Sequence, residues 1–338
     1  MKLLRNLQVP TGNILVVQGE HGKLECLSLS DYGKSVNVKA DFLGIDREIE
    51  QVKHTKLLPL EDKWVITTSS QYGCAMKCLF CDTARMGFGG NATKRDIINQ
   101  VLTAIQLHPE VKFCNRLNHH HARMGEPTLN ANVITATEAL IEILPEYFEV
   151  HNSIVYHPVI STMMPRQQRA LKNYLYLWCE EIKNDKLRGE AGLQLSINST
   201  SEKERREMFS GNALTLNEIV YIIEKLPAPK GRKYTLNFAI AGYEIDAEML
   251  ASAFDPKYWI CKLTPMHKTV EALRNNIRTE GDYTTMYPYK KDEESLKDAG
   301  FDVLVFVASE EEDLGRITCG NAILSGTLPE VHYNELPV

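Results

Sequence analysis

Three cysteines stand close together at Cys74, Cys78 and Cys81, in the segment SSQYGCAMKCLFCDTARMGF. Three thiolates on one short loop can each bind one iron of a cubane cluster, and a fourth cysteine would close the cluster as in ferredoxins. None follows nearby, so one iron is left open for a small ligand. The amino and carboxylate groups of S-adenosylmethionine (SAM) meet that need. A structural zinc site would want four ligands, typically in Cys-x2-Cys pairs. The spacing here is Cys-x3-Cys-x2-Cys, and Phe80 suits an apolar cover over a cluster.

These residues need a frame. From Trp64 onward, strand-like and helix-like stretches alternate. WVITTSS, HPVIST, AGLQLSINS, KYTLNFAIAGY, WICKLTPMH and DVLVFVAS read as strands. Thr93 is placed to cap a helix through DIINQVLTAIQ, and Asn130 or Asn132 another through ITATEALIEIL. PRQQRALKNYLYLWCEEIK reads as a helix with Pro165 in its first turn. Such alternation means a parallel sheet with right-handed crossovers. The fold expected is α/β, a partial (βα)6 barrel with a small N-terminal β-hairpin extension over residues 12–30. The expected divisions are a β-rich extension and connector at 1–63, the barrel at 64–326 and a tail at 327–338. Sites in such barrels gather at the C-terminal ends of the strands. The cysteine loop, Gly125-Glu126-Pro127, Ser161 and Ser196-Ile197-Asn198 all fall there.

At these residues the chain resembles the RlmN/Cfr family of radical SAM methyltransferases, which methylate an adenosine of ribosomal RNA. The resemblance covers most of residues 64–326. It includes Ser69-Ser70-Gln71, Gly73, Thr83 and Gly87-Phe88 around the cysteines, and MGEPTLN at Met124 to Asn130. It implies a 4Fe-4S cluster on Cys74, Cys78 and Cys81, and SAM held by Gly125, Glu126, Ser161, Ser196, Ile197, Asn198 and, in LTPMH, His267. Glu126 maps to the contact with SAM's amino group. His267 stands where the family has Asn. ITCGNAILSG places Cys319 on the family's methyl-carrying cysteine, and KLECLSL places Glu25 on its proton acceptor. An electron donor such as flavodoxin or ferredoxin is implied, and an RNA or nucleotide substrate.

Two departures bear on the substrate. The family frees its product through a disulfide with a second cysteine, expected seven residues before Cys74, where this chain has Thr67. A hydroxyl cannot form that disulfide. The family also has a helical N-terminal domain of RNA-binding type, whereas this chain starts almost directly at its hairpin. About thirty extra residues lie between Glu25 and Cys74. A radical enzyme acting on another nucleotide, peptide or small molecule without methyl transfer, and an iron–sulfur binding protein without turnover, are the alternative readings.

Composition is that of an ordinary globular chain. The 338 residues are 43% hydrophobic and 24% charged, with a net charge of −6, and a dedicated nucleic-acid binder usually carries a basic excess. Lys203, Arg205 and Arg206, and Lys230, Arg232 and Lys233, read as solvated helix or turn residues. No apolar run is long enough for a membrane helix, and Arg5, Asn6 and Gln8 break the N-terminal stretch. The expected location is the cytoplasm. The other cysteines are scattered, so no disulfide framework is expected. The polar run NRLNHHH before the Gly-Glu-Pro segment is unusual for a buried barrel strand. A metal site at His119, His121 and Cys114 is weighed there against polar strand residues near a site.

Overall fold

The computed structural model describes residues 1–52, 57–148, 154–318, 320–328 and 334–337. The strands, in chain order, are β1 (Lys2–Val9), β2 (Gly12–Gln18), β3 (Lys23–Leu29), β4 (Val38–Lys39), β5 (Trp64–Thr67), β6 (Gln71–Gly73), β7 (Phe88–Asn91), β8 (Cys114–His121), β9 (Ile154–Thr162), β10 (Gly192–Ser196), β11 (Tyr234–Ile240), β12 (Trp259–Pro265), β13 (Asp302–Phe306) and β14 (Asn334–Leu336). Twelve of them form one sheet in the order β14-β1-β2-β3-β5-β8-β9-β10-β11-β12-β13-β4, and β6 pairs with β7 in a small hairpin.

Seven strands of the sheet, β5 and β8 to β13, run parallel and are joined by six helical crossovers. This is the (βα)6 alternation that the sequence pattern implies. The main core lies between these strands and the covering helices and includes Ile66, Leu117, Leu193, Leu236, Leu263 and Val305. Thr93 caps the helix Lys94–Gln106 through a capping box with Asp96. Asn130 accepts from the Asn132 N–H at 3.0 Å and ties that helix start to the carbonyls of Ser70 and Ala92. The segment after β9 departs from expectation. Its helix begins only at Leu171, while Pro165 makes an isolated bridge to Ala213. Here Pro165 serves a turn rather than a helix start.

The N-terminal strands are not a separate layer. β3 pairs antiparallel with β5, so β1 to β3 lengthen the parallel sheet, and β14 returns from the tail to pair with β1. The connector does more. Eight strand spacings of about 4.8 Å separate β3 from β4 along the sheet, about 38 Å if it were flat. Nine peptide links join Leu29 to Val38, and fully extended they span about 32 Å. They also contain a helical turn, Lys34–Asn37. The sheet must therefore curl so that its two ends approach. Lys39 locks the crossing in place, with ion pairs to Asp41 and to the buried Glu293.

Candidate active site at the C-terminal ends of the strands

The hairpin β6–β7 launches the cysteine loop. Gly73 has φ +75°, and a Cβ there would lie 1.9 Å from the Gly87 carbonyl, so the Cys74 N–H can reach that carbonyl at 2.9 Å only with glycine at 73. Later loops then hold the carbonyls of the cysteine loop one by one. Asn212 donates to Met76, Ser210 to Lys77, Asn275 to Leu79 and Thr269 to Phe80, at 2.6–2.9 Å. Met76, Cys78, Phe80, Met208, Phe209 and Met266 pack into an apolar cluster of their own, with Phe80 edge-on to Phe209 at 5.9 Å.

The donor set fits a cluster. Burial, the neighbouring Cys81 thiolate and the Glu126 charge push the Cys74 thiol up to about 12. Thiols packed in this way repel one another as anions, and a bound cation offsets that repulsion. Among the described residues no three His, Cys, Asp or Glu side chains converge as ligands of a single ion would. A cubane needs no such convergence, because each thiolate takes its own iron.

Glu126 follows β8 on the tight Gly125 turn. Gly125 has φ +102°, and a Cβ there would meet Gln71 at 2.6 Å. The Glu126 carboxylate is 2% exposed and accepts from the Thr128 N–H and hydroxyl and from the Met163 N–H. Burial holds its pKa up despite those donors. A ligand ammonium would favour the charged form and form a strong charge-assisted bond. Glu126→Ala is expected to weaken SAM binding about 10- to 100-fold, the equivalent of about 1.5–3 kcal/mol. An unchanged dissociation constant in a calorimetric titration would remove Glu126 from the site.

A narrow cleft opens beside the cysteine loop. Phe80, Met163, Ser196, Asn198 and His267 line it, with Asn237 and Thr264 deeper in the strands. Asn198 holds a left-handed backbone (φ +61°) and accepts from the Ala239 N–H at 3.1 Å, which fixes the turn after β10. Ser161 ends the inner face of β9 and donates to Gln194 at 3.1 Å. Ile197 does not reach the cleft. Its side chain is in the core, its N–H goes to the Asn237 carbonyl, and its own carbonyl accepts from Ser199 and Arg205. Arg205, expected to be solvated, is buried for this contact and for the Leu214 carbonyl.

His267 Nδ1 lies 3.2 Å from Asp313 Oδ1. Asp313 was not legible beforehand, because a carboxylate in an acidic helix, EEEDL, reads as solvated. Asn237 was legible in principle, as one polar residue on the apolar strand TLNFAI.

Glu25, expected as a proton acceptor, is fully buried with its carboxylate enclosed. Oε1 accepts from Arg123 Nε at 2.6 Å and is ion-paired with the same guanidinium, and Oε2 accepts from the N–H groups of Ile323 and Leu324 at 2.8 Å each. Three of the about four acceptor positions of a carboxylate are thus taken by hydrogen bonds, with the guanidinium packed against the same group. As built, Glu25 clamps the C-terminal segment instead of facing a substrate. Cys319 lies outside the described residues. Its neighbour Gly320 accepts from the Asp82 N–H at 2.8 Å, directly after Cys81.

No family model matches the chain. Over 191 residues it is 29% identical to the probable dual-specificity RNA methyltransferase RlmN of Aquifex aeolicus (strain VF5), covering 56% of this chain and 50% of that protein. The chain thus spans about half the length of this curated relative. By fold it is similar to a radical SAM methyltransferase from Sphaerobacter thermophilus, with a TM-score of 0.62 and 18% identity over 95% of this chain and 80% of that one. In sequence the chain is thus similar to an RlmN-type protein over part of its length, and its fold is similar to that of a radical SAM methyltransferase.

Proposed function

We propose that this chain is a radical SAM enzyme, a methyltransferase in kind, whose substrate is not ribosomal RNA. The observation that carries the reading is the meeting of the cysteine loop, Glu126 and the cleft of Ser196, Asn198 and His267 at one end of the parallel strands. A 4Fe-4S cluster held by these cysteines, with SAM bound, would supply the electron for splitting SAM's sulfur–carbon bond. The chain's own residues bind and shield. Cys74, Cys78 and Cys81 hold the irons, Glu126 takes the ammonium of SAM, and Phe80, Met163 and Met266 exclude water. A donor such as flavodoxin or ferredoxin delivers the electron.

The test is reduction of the reconstituted protein with SAM present, with 5′-deoxyadenosine read by mass spectrometry. No product would leave an iron–sulfur binding protein. Cys319 is proposed as the methyl carrier, since its neighbour Gly320 is bonded beside Cys81. Its peptide, taken from cells, should be one CH2 heavier than its formula.

Thr67 ends β5, opposite Leu27 and His120. Cys26, Cys114, Cys179 and Cys261 all belong to the main core between sheet and helices. Burial raises each thiol, that of Cys114 to about 11. None is a low-pKa, accessible thiol suited to releasing a product by disulfide formation. The reduced enzyme is therefore expected to give no multiple-turnover methyladenosine from a ribosomal RNA fragment. Its appearance in digests of the RNA would refute this reading of Thr67.

A further inference from the structure

Two of the three histidines that end β8 serve the core. His119 pairs with Thr68 at 2.8 Å and with Tyr156 at 2.6 Å, and His121 pairs with Thr137 at 3.0 Å. The Cys114 thiol is bonded to the Leu60 carbonyl at 3.4 Å. These contacts dispose of a metal site at the three residues. His267, two residues beyond β12, is placed differently. It is 7% exposed, lines the cleft beside Met163 and Ser196, and has the Tyr283 ring packed on it at 5.2 Å between centroids. Its Nδ1 is buried and meets Asp313 Oδ1 at 3.2 Å, close enough for an ion pair but without the alignment of a hydrogen bond. No other polar group among the described residues bonds to the ring.

Asp313 stands in the short acidic helix Glu310–Leu314, where a carboxylate is ordinarily solvated, but its side chain is only 15% exposed. The oxygen that faces His267 also accepts from the Thr318 hydroxyl at 3.5 Å. Thr318 accepts in turn from the Asn321 amide, and the Asn321 side-chain oxygen takes Arg316 Nη1 at 3.5 Å. The Asp313 carbonyl accepts from the Arg316 N–H at 2.9 Å. Arg316 has φ +54°, a value that a residue other than glycine keeps only where its surroundings hold it. Burial works to raise the Asp313 carboxyl, but the facing His267 and Arg316 outweigh it and bring the group below the ordinary carboxylate value. The charged oxygen is thus shared between a ring in the cleft and the segment 316–321. Position 319 falls in that segment, and Gly320 ties it to the cysteine loop through the Asp82 N–H.

A carboxylate on Nδ1 determines which ring nitrogen carries the hydrogen and how the ring is turned, and it leaves Nε2 for a ligand. Hydrogen bonds of this type are often misaligned in an empty site and straighten when a ligand seats. We propose that Asp313 is a shared positioning residue, which sets the His267 ring against SAM in the cleft and, through Thr318, holds the segment that carries Cys319. Asp313 acts on both through other side chains. One carboxylate then links the binding of the methyl donor to the placement of the methyl carrier.

The inference rests on the reading of the cleft as a SAM site, and the two are tested apart. SAM affinity of the reconstituted full-length protein is measured by calorimetry. Amide hydrogen exchange of the peptide 316–321 is measured by mass spectrometry without SAM. Asp313→Ala should weaken SAM binding roughly tenfold and speed exchange in that peptide. His267→Asn should weaken SAM binding to a similar degree and leave the exchange at the wild-type rate. In the His267→Asn background, adding Asp313→Ala should take away no further SAM affinity while still speeding exchange. A general loosening of the fold would lower the affinity equally in both backgrounds, and that result overturns the proposal. Unchanged affinity or unchanged exchange in Asp313→Ala overturns it as well. Thermal midpoints show which variants fold. Should Asp313→Ala fail to fold, Asp313→Asn carries the affinity cycle and Thr318→Val the exchange, with the same outcomes deciding. A wild-type protein that binds no SAM sinks the reading of the cleft and the proposal with it. Wild-type binding with an unaffected Asp313→Ala sinks this inference alone.

Discussion

Cys74→Ala, Cys78→Ala and Cys81→Ala proteins, reconstituted anaerobically, should each come out without the brown iron–sulfur absorbance and without SAM cleavage. The wild type should hold four irons and four sulfides. Each cysteine is expected to ligate a different iron, so the loss of one leaves that iron as well as the SAM-binding iron without a protein ligand. The loop offers no replacement, because its backbone is tied down by Asn212, Ser210, Asn275 and Thr269 from other loops. A retained chromophore in any one variant would mean that another group is the third ligand. Zinc in place of iron in the wild type would end the cluster assignment altogether.

Glu25→Gln should cost about 3–5 kcal/mol of stability, because it strands the buried Arg123 guanidinium without a counter-charge. The readout is a lowered midpoint in urea unfolding. The Glu25→Gln, Arg123→Met double variant should recover most of the loss, since the amide oxygen can still accept from Ile323 and Leu324 while the stranded charge is gone. A proton acceptor would behave differently, leaving the single variant as stable as the wild type but inactive. Full stability of Glu25→Gln would therefore refute the clamp. The clamp also bears on function, because it fixes the chain four and five residues after Cys319.

Much of the site could be read from local spacing. The three cysteines, the Gly-Glu-Pro turn and the polar ends of β10 and β12 are short-range patterns, each set by a few adjacent residues. The capping box at Thr93 is equally local. The alternation of strands and helices determined that these patterns lie at one end of a parallel sheet, because right-handed crossovers leave no other arrangement.

Partners far apart in the chain were decided only by the tertiary structure. Glu25 meets N–H groups 298 and 299 residues away, which turns an expected base into a clamp. His267 meets Asp313, Arg205 is buried to serve Ile197 and Leu214, and the connector crosses from β3 to the far edge of the sheet. The run NRLNHHH is ambiguous for the same reason. Strand periodicity tells that its side chains alternate, but only the curl of the sheet puts Arg116 and His120 beside Lys262 and Arg232 while His119 and His121 enter the core. A linear pattern specifies which face a side chain takes; the charge waiting on that face is set by strands that the fold brings around from elsewhere.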